Sequence, residues 1–298
     1  MNHRDVIPDL HADIARLDAT LAALEPGAPL AFLGDFIDAG SATRESDDAA
    51  VLTAVRRLID SGRAVAVMGN HELNAILYHT DGTEGRPLRE HSGKNREQHK
   101  SFLRQFGANT PQARVWTDWF LKLPLWLDLG GLRLVHACWD QAAVEMVAAR
   151  RPEGQLTRAD LPEIAAESSE FGRAVQRLVS GPEAHLGDDH PGFRDSKNHL
   201  RHHVRLAWWR PEARLWREAA LSVPDVSQLP EGEIPVCQGV PPYPVGVPPV
   251  IAGHYKMTGT PRIEAANAAC LDYPDTACVY RWRGEAAFSA ENLFTIQG

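Results

Sequence analysis

Short apolar runs and helical repeats alternate through the first seventy residues. Val6-Ile7 reads as the end of a short strand that runs into Pro8-Asp9. Ile14, Leu17, Leu21 and Leu24 recur at three- and four-residue spacing, which puts them on one helix face, and Pro26-Gly27 stops that helix. The apolar run at 30–33 predicts a second strand, ending at Gly34-Asp35. Val51, Leu52, Val55, Leu58 and Ile59 mark a second helix, closed by Gly62. Residues 64–68 predict a third strand, ending at Gly69-Asn70. A β-α-β-α-β series of this kind predicts an α/β domain with parallel strands. Each of the three strands ends in Asp9, Asp35 or Asn70. Ligands of α/β sheets sit beyond the carboxyl ends of the strands, so the pattern lines up three oxygen donors along one sheet edge.

Farther along, the apolar runs at 125–129 and 132–135 flank Gly130-Gly131, a hairpin signal, and the second arm delivers His136. Residues 140–180 read as two helices. Residues 182–203 are polar and His-rich, and 204–209 predict a strand. The stretch 223–249 holds eight prolines, which suits an extended loop. A last apolar run at 249–252 ends at Gly253-His254. No internal repeat and no low-complexity tract is present.

Five segments therefore end an apolar run with metal-ligand chemistry: Asp9-Leu10-His11, Gly34-Asp35-Phe36-Ile37-Asp38, Gly69-Asn70-His71-Glu72, Val135-His136-Ala137 and Gly253-His254. Carboxylate, amide oxygen and imidazole together suit first-row divalent ions such as Mn, Fe or Zn. Two such ions sharing a carboxylate would clamp an in-line displacement at phosphorus. Singly, an Asp or His at a strand end is more often a cap or a solvated side chain. Five in order outweigh that reading.

In this order the segments resemble the signature of the calcineurin-like metallophosphoesterases. They are most similar to the phosphoprotein phosphatase branch, with its GDxHG, GDxxDRG and GNHE motifs and two later histidines. The segments 70–76, 123–127, 136–140 and 269–273 further resemble bacterial members of serine/threonine-phosphatase or diadenosine-tetraphosphatase type. The likeness covers most of the chain and is thinnest between about 145 and 245. It implies an α/β metallophosphatase sandwich, two mixed β-sheets flanked by helices, as one catalytic domain over 1–298 with an insertion or cap at about 140–245. It implies that Asp9 and His11 hold the first metal and that Asp35 bridges both. Asn70, His136 and His254 would complete the second site, with His71 as general acid oriented by Asp38.

The chain departs from that pattern in two places. Pro8 and Ala12 replace the first glycine pair, giving Pro-Asp-Leu-His-Ala. The arginine that grips phosphate is replaced in Asp38-Ala39-Gly40, a loss typically of about 1.5–3 kcal/mol. Residues 194–217 carry Arg194, Lys197, Arg201, Arg205, Arg210, Arg214 and Arg217. Arg205, beside Trp208-Trp209, is the expected substitute, with Arg201 second.

Composition narrows the partners. The 298 residues are 44% hydrophobic and 23% charged, so a buried core is expected and disorder is not. A formal charge of −8, from 31 Lys+Arg against 39 Asp+Glu, argues against stable nucleic-acid binding. An acidic chain can still take phosphorylated substrates where bound cations reverse the local field. No run is long enough for a signal peptide or a membrane span. Cys138, Cys237, Cys270 and Cys278 are scattered, which fits reduced thiols in a cytoplasm.

The leading expectation is hydrolysis of a phosphomonoester by metal-bound hydroxide without a covalent intermediate. One rival substrate is a dinucleoside polyphosphate or other nucleotide, for which Trp139, Trp208 or Trp209 offers a stacking surface. A rival of another class is a metal-binding phospho-ligand sensor, motivated by Pro8, Ala12 and Ala39. Plainer uses are expected elsewhere. Trp116, Trp119, Phe120 and Trp126 read as core or lid, the basic segment from Arg86 to Arg104 as a solvated face, and His199, His202 and His203 as a polar loop rather than a further metal site.

Overall fold

The computed structural model describes residues 3–82, 85–195, 198–210, 212–235 and 243–297; Lys197 and Cys237 lie outside them. In chain order the first elements are β1 (Arg4–Ile7), α1 (Ile14–Ala23), β2 (Leu30–Phe32), α2 (Asp48–Asp60), β3 (Ala64–Ala66) and α3 (Asn70–Tyr78). Helices α4 (Gly93–Gln98), α5 (Lys100–Phe106) and α6 (Pro111–Phe120) lead to the hairpin of β4 (Trp126–Asp128) and β5 (Arg133–Val135). Then come α7 (Gln141–Ala148), α8 (Leu161–Ala166), α9 (Glu170–Ser180), β6 (Glu183–His185), β7 (Phe193–Arg194), β8 (Leu200–Arg201), β9 (His203–Leu206), α10 (Trp216–Ala219) and β10 (Ala220–Leu221). Strands β11 (Val250–Ala252), β12 (Ala268–Cys270), β13 (Cys278–Trp282) and β14 (Leu293–Thr295) complete the chain.

Two mixed sheets carry the architecture. One has the order β14-β13-β1-β2-β3 and the other β12-β11-β5-β4. Strands β1, β2 and β3 are parallel, with Val6 beside Ala31 and Ala31 beside Val65, while β13 joins β1 antiparallel. In the second sheet β11 runs parallel to both β5 and β12, and β4 closes the hairpin. Buried side chains of both sheets, among them Ile7, Phe32, Ala66, Leu134 and Ile251, belong to one continuous core. The predicted α/β sandwich of two mixed sheets is the observed fold.

Local chemistry sets the element ends. Asp13 caps α1 by accepting from the Arg16 amide, Asp47 caps α2, and Thr110 caps α6 with Pro111 in its first turn. Three expectations change. Residues 140–180 form three helices rather than two, because α8 is too short to show a helical period. The strand expected over 204–209 stops at Leu206, where the amide of Ala207 turns back to the carbonyl of Ala219. The region 182–203 contains strands, and together with β9, α10 and β10 it builds a separate small core around Ala184, Phe193, Val204 and Trp216.

Candidate metal centre and the imidazole beside it

Strand ends deliver the site. Asp9 follows β1, Asp35 follows β2, Asn70 opens α3 directly after β3, His136 follows β5 and His254 follows β11. The turns after β2 and β3 press against each other. A Cβ on Gly34 would lie 2.5 Å from the Gly69 nitrogen, and one on Gly69 would lie 2.2 Å from Asp35 Oδ1. Both positions therefore require glycine. The buried carboxylate of Glu72 locks the joint, accepting from the amides of Asp35 (2.8 Å), Phe36 (2.8 Å) and Gly69 (3.0 Å). Backbone strain collects here: His11, Ala12, Asp35, Asp38 and His254 all have positive φ, and Ala12 (57°) stands where the family pattern has glycine.

Asp35 is the hub. Its Oδ1 lies 3.4 Å from His136 Nε2 and its Oδ2 4.0 Å from His11 Nε2 and 3.9 Å from His71 Nε2. Two groups with metal-binding spacing result, His11-Asp35-His71 and Asp35-His136-His254, each with ligand atoms within 4.8 Å of one another. Asn70 Oδ1 joins the second, 2.7 Å from His254 Nδ1 and 3.0 Å from His136 Nε2. Asp9 accepts the His254 amide at 3.0 Å, so it braces the His254 turn from beside the site.

These residues fit divalent cations. Buried Asp9 is pushed well up by burial, and then by the charges of Asp272 and Asp35, a repulsion that a cation between them relieves. His11 Nδ1 and His254 Nε2 are buried and have no hydrogen-bond partner among the described residues. His254 is held well below its ordinary range, first by burial and then by the charge of Arg205, and so stays neutral. Burial pulls His136 down, but the charge of Asp35 and a hydrogen bond to it raise it to about 10. The other nitrogen of His136 donates to the Leu33 carbonyl at 2.6 Å, which leaves Nε2 facing the site.

Beside this centre, His71 Nδ1 donates to Asp38 Oδ2 at 2.7 Å. Burial alone lowers the imidazole, yet the Asp35 charge and the Asp38 hydrogen bond carry it to about 9. Asp38 is also held by His99, whose Nδ1 donates to Oδ1 at 2.7 Å.

The two arginines diverge. Arg205, on β9, lies 3.6 Å from Glu183 and its charge reaches His254 and Tyr255. Arg201 sits on the β7-β8 hairpin, bonded to Asp195 at 2.7 Å. Among the described residues, no metal-spaced group includes His199, His202 or His203. The stacking surface expected from Trp139, Trp208 and Trp209 is corrected. All three are buried, and the Trp208 and Trp209 indoles donate to the Ala137 carbonyl and Glu264. Sequence reasoning gave no role to Glu72, His99 or Lys256, and named Asp272 only within a resembling segment. Lys256 adds positive charge near His11, and its amide donates to Asp272. Of these only Glu72 has a local signal, its place three residues after Gly69 at a helix start.

A family model for the calcineurin-like phosphoesterases matches residues 5–160, more than half of the chain, and the chain belongs to that family. The family is one of metal-dependent phosphoesterases. A symmetrical bis(5'-nucleosyl)-tetraphosphatase of Ralstonia nicotianae is 37% identical over 70 residues, 24% of this chain and 23% of that protein's length. Among solved structures, a protein serine/threonine phosphatase from Saccharomyces cerevisiae is 12% identical with a TM-score of 0.47, covering 99% of this chain and 80% of its own. A cold-active protein-tyrosine phosphatase of a psychrophilic Shewanella species is 13% identical with a TM-score of 0.42, covering 100% and 81%. No helix among the described residues is long and apolar enough to cross a membrane.

Proposed function

We propose that the chain hydrolyses phosphomonoesters at a two-metal centre, with Asp35 shared between the ions and Mn as the preferred metal. The observation that carries this reading is the pair of donor groups meeting at Asp35. Asp9 and His11 would serve the first ion, and Asn70, His136 and His254 the second. When bound, the cations supply charge that polarises the phosphoryl oxygens and activates water. His71 keeps its proton at neutral pH and hands it to the leaving oxygen, while Asp38 fixes its ring. Arg205 holds the phosphate from the separately cored segment, which we take as the cap expected from the sequence. The intact His71-Asp38 pair favours an enzyme over a sensor, since a binder has no use for a proton donor.

A second reading, cleavage of a dinucleoside polyphosphate, is favoured by the partial likeness to the tetraphosphatase. Its weakness is the burial of the three tryptophans.

The deciding experiment is metal analysis of the purified chain, followed by turnover of an alkyl phosphate, a phosphopeptide, an aryl phosphate and diadenosine tetraphosphate. Preference for the last would transfer the assignment to nucleotides. Two bound metals without any turnover would favour the sensor. His136→Ala should remove metal and activity together, whereas His71→Asn should retain the metal and turn over slowly.

A further inference from the structure

We propose that His99 and His79 are positioning residues for the acid, forming a buried relay that starts at one backbone amide and ends on the carboxylate orienting His71. The inference rests on the acid role proposed for His71.

The relay is continuous. The Asn109 amide donates to His79 Nδ1 at 3.0 Å, and His79 Nε2 faces His99 Nε2 at 3.1 Å. His99 Nδ1 meets Asp38 Oδ1 at 2.7 Å, and Asp38 Oδ2 meets His71 Nδ1 at 2.7 Å. His79, His99 and Asp38 are all buried. His99 is stacked on Phe102 at 4.7 Å between ring centres, which fixes its plane.

Hydrogen-bond logic assigns each proton. A backbone amide can only donate, so His79 Nδ1 is bare and the ring carries its proton on Nε2. That proton occupies the space between the rings, so His99 Nε2 is bare in turn. His99 must then be protonated on Nδ1, and it donates to Asp38 Oδ1. Burial lowers His79 to about 4, in keeping with a neutral ring.

The consequence falls on Asp38. A carboxylate bonded only to His71 could turn about its own bond, and His71 could swing with it. With His99 on Oδ1 and His71 on Oδ2, both oxygens are occupied and the plane is fixed. His71 then keeps its proton-bearing Nδ1 inward and its Nε2 toward Asp35, 3.9 Å away. The separation in sequence from Asp38, 61 residues to His99, explains why no motif reveals this arrangement.

The test uses the full-length, Mn-loaded chain and two esters. An alkyl phosphate needs its leaving oxygen protonated, whereas 2,4-dinitrophenyl phosphate does not. His99→Leu should lower kcat on the alkyl ester by roughly 10–100-fold, with KM nearly unchanged and at most about threefold loss on the dinitrophenyl ester. His99→Asn retains an N–H near the position of Nδ1 and should recover most of that loss. Equal losses on both esters, or no recovery with asparagine, would show that the ring only fills space. His71→Asn separates the two layers of the argument. If it shows the ester-selective loss and His99→Leu does not, the relay alone is wrong; if it turns over normally, the acid role itself is wrong. Ring ¹⁵N NMR of the unmutated protein requires no variant to fold. It should find the proton on Nδ1 of His99 and on Nε2 of His79, and the opposite form of His99 overturns the proposal.

Discussion

Replacing Gly69 by alanine adds one methyl group where the two site turns press together. Its φ of −90° suits any residue, so the penalty is steric and not conformational. The added carbon would lie 2.2 Å from Asp35 Oδ1, 2.4 Å from the Asp35 nitrogen and 2.7 Å from Glu72 Oε2. The nitrogen is backbone and cannot swing aside, so the two turns must separate by roughly 1 Å to reach normal contact. Overpacking of this kind costs about 1–3 kcal/mol. Separation also weakens the bonds from the Asp35 and Gly69 amides to Glu72 and from the His71 amide to Asp35 Oδ1. Bonds to charged acceptors contribute about 1.5–3 kcal/mol each, so losing one brings the total to about 2.5–6 kcal/mol. Metal sites tolerate ligand displacements of only about 0.2 Å, so metal content should fall with stability. Gly40→Ala is the control, because nothing lies within 4 Å of the added carbon. Urea unfolding, read at constant m, and metal analysis measure both effects. If Gly69→Ala unfolds within about 0.5 kcal/mol of the parent and keeps its full metal complement, the steric reasoning is wrong.

Asp38→Asn removes a charge that holds the His71 proton. The loaded acid is lost as pH rises through its pKa, so the falling alkaline limb of kcat on an alkyl phosphate should move to lower pH; an unmoved limb would detach His71 from it. His136, raised to about 10 in the cation-free protein, must lose its proton when a cation binds. Mn affinity should therefore strengthen with pH up to that value, with proton release seen by titration calorimetry in buffers of different ionisation enthalpy, and buffer-independent heats would contradict this. Arg205→Ala should weaken inhibition by inorganic phosphate about 10–100-fold and Arg201→Ala should not, since a charge-assisted contact is worth about 1.5–3 kcal/mol. Equal effects from the two variants would reject the choice between them.

The first three strand-helix units were legible because their information is local: an apolar run, a glycine that permits the turn, and a carboxylate or amide at the strand end. His136 and His254 were legible for the same reason. What was missed depends on chain segments meeting from a distance. Glu72 gathers two amides from one turn 36 and 37 residues away and a third from its own, and His99 reaches Asp38 from a helix boundary whose surroundings read as a solvated face. The tryptophans failed in the opposite direction. Trp208 and Trp209 follow β9 with a large apolar surface, and burying it in the core outweighed leaving it open for a base to stack on.

The place of β1 has a consequence for how the protein is made. The strand that leads into Asp9 lies between β2, which emerges at once, and β13, which ends at Trp282. At typical ribosomal rates of about 5–20 residues per second, roughly 14–55 s separate β1 from its second neighbour. His254 arrives late in the same interval. During that time one edge of β1 is open to other chains, and ions reaching Asp9 and Asp35 would meet only part of the donor set proposed for them. On the ligand set proposed above, metal loading would wait until His254 has emerged and β13 has covered the open edge of β1.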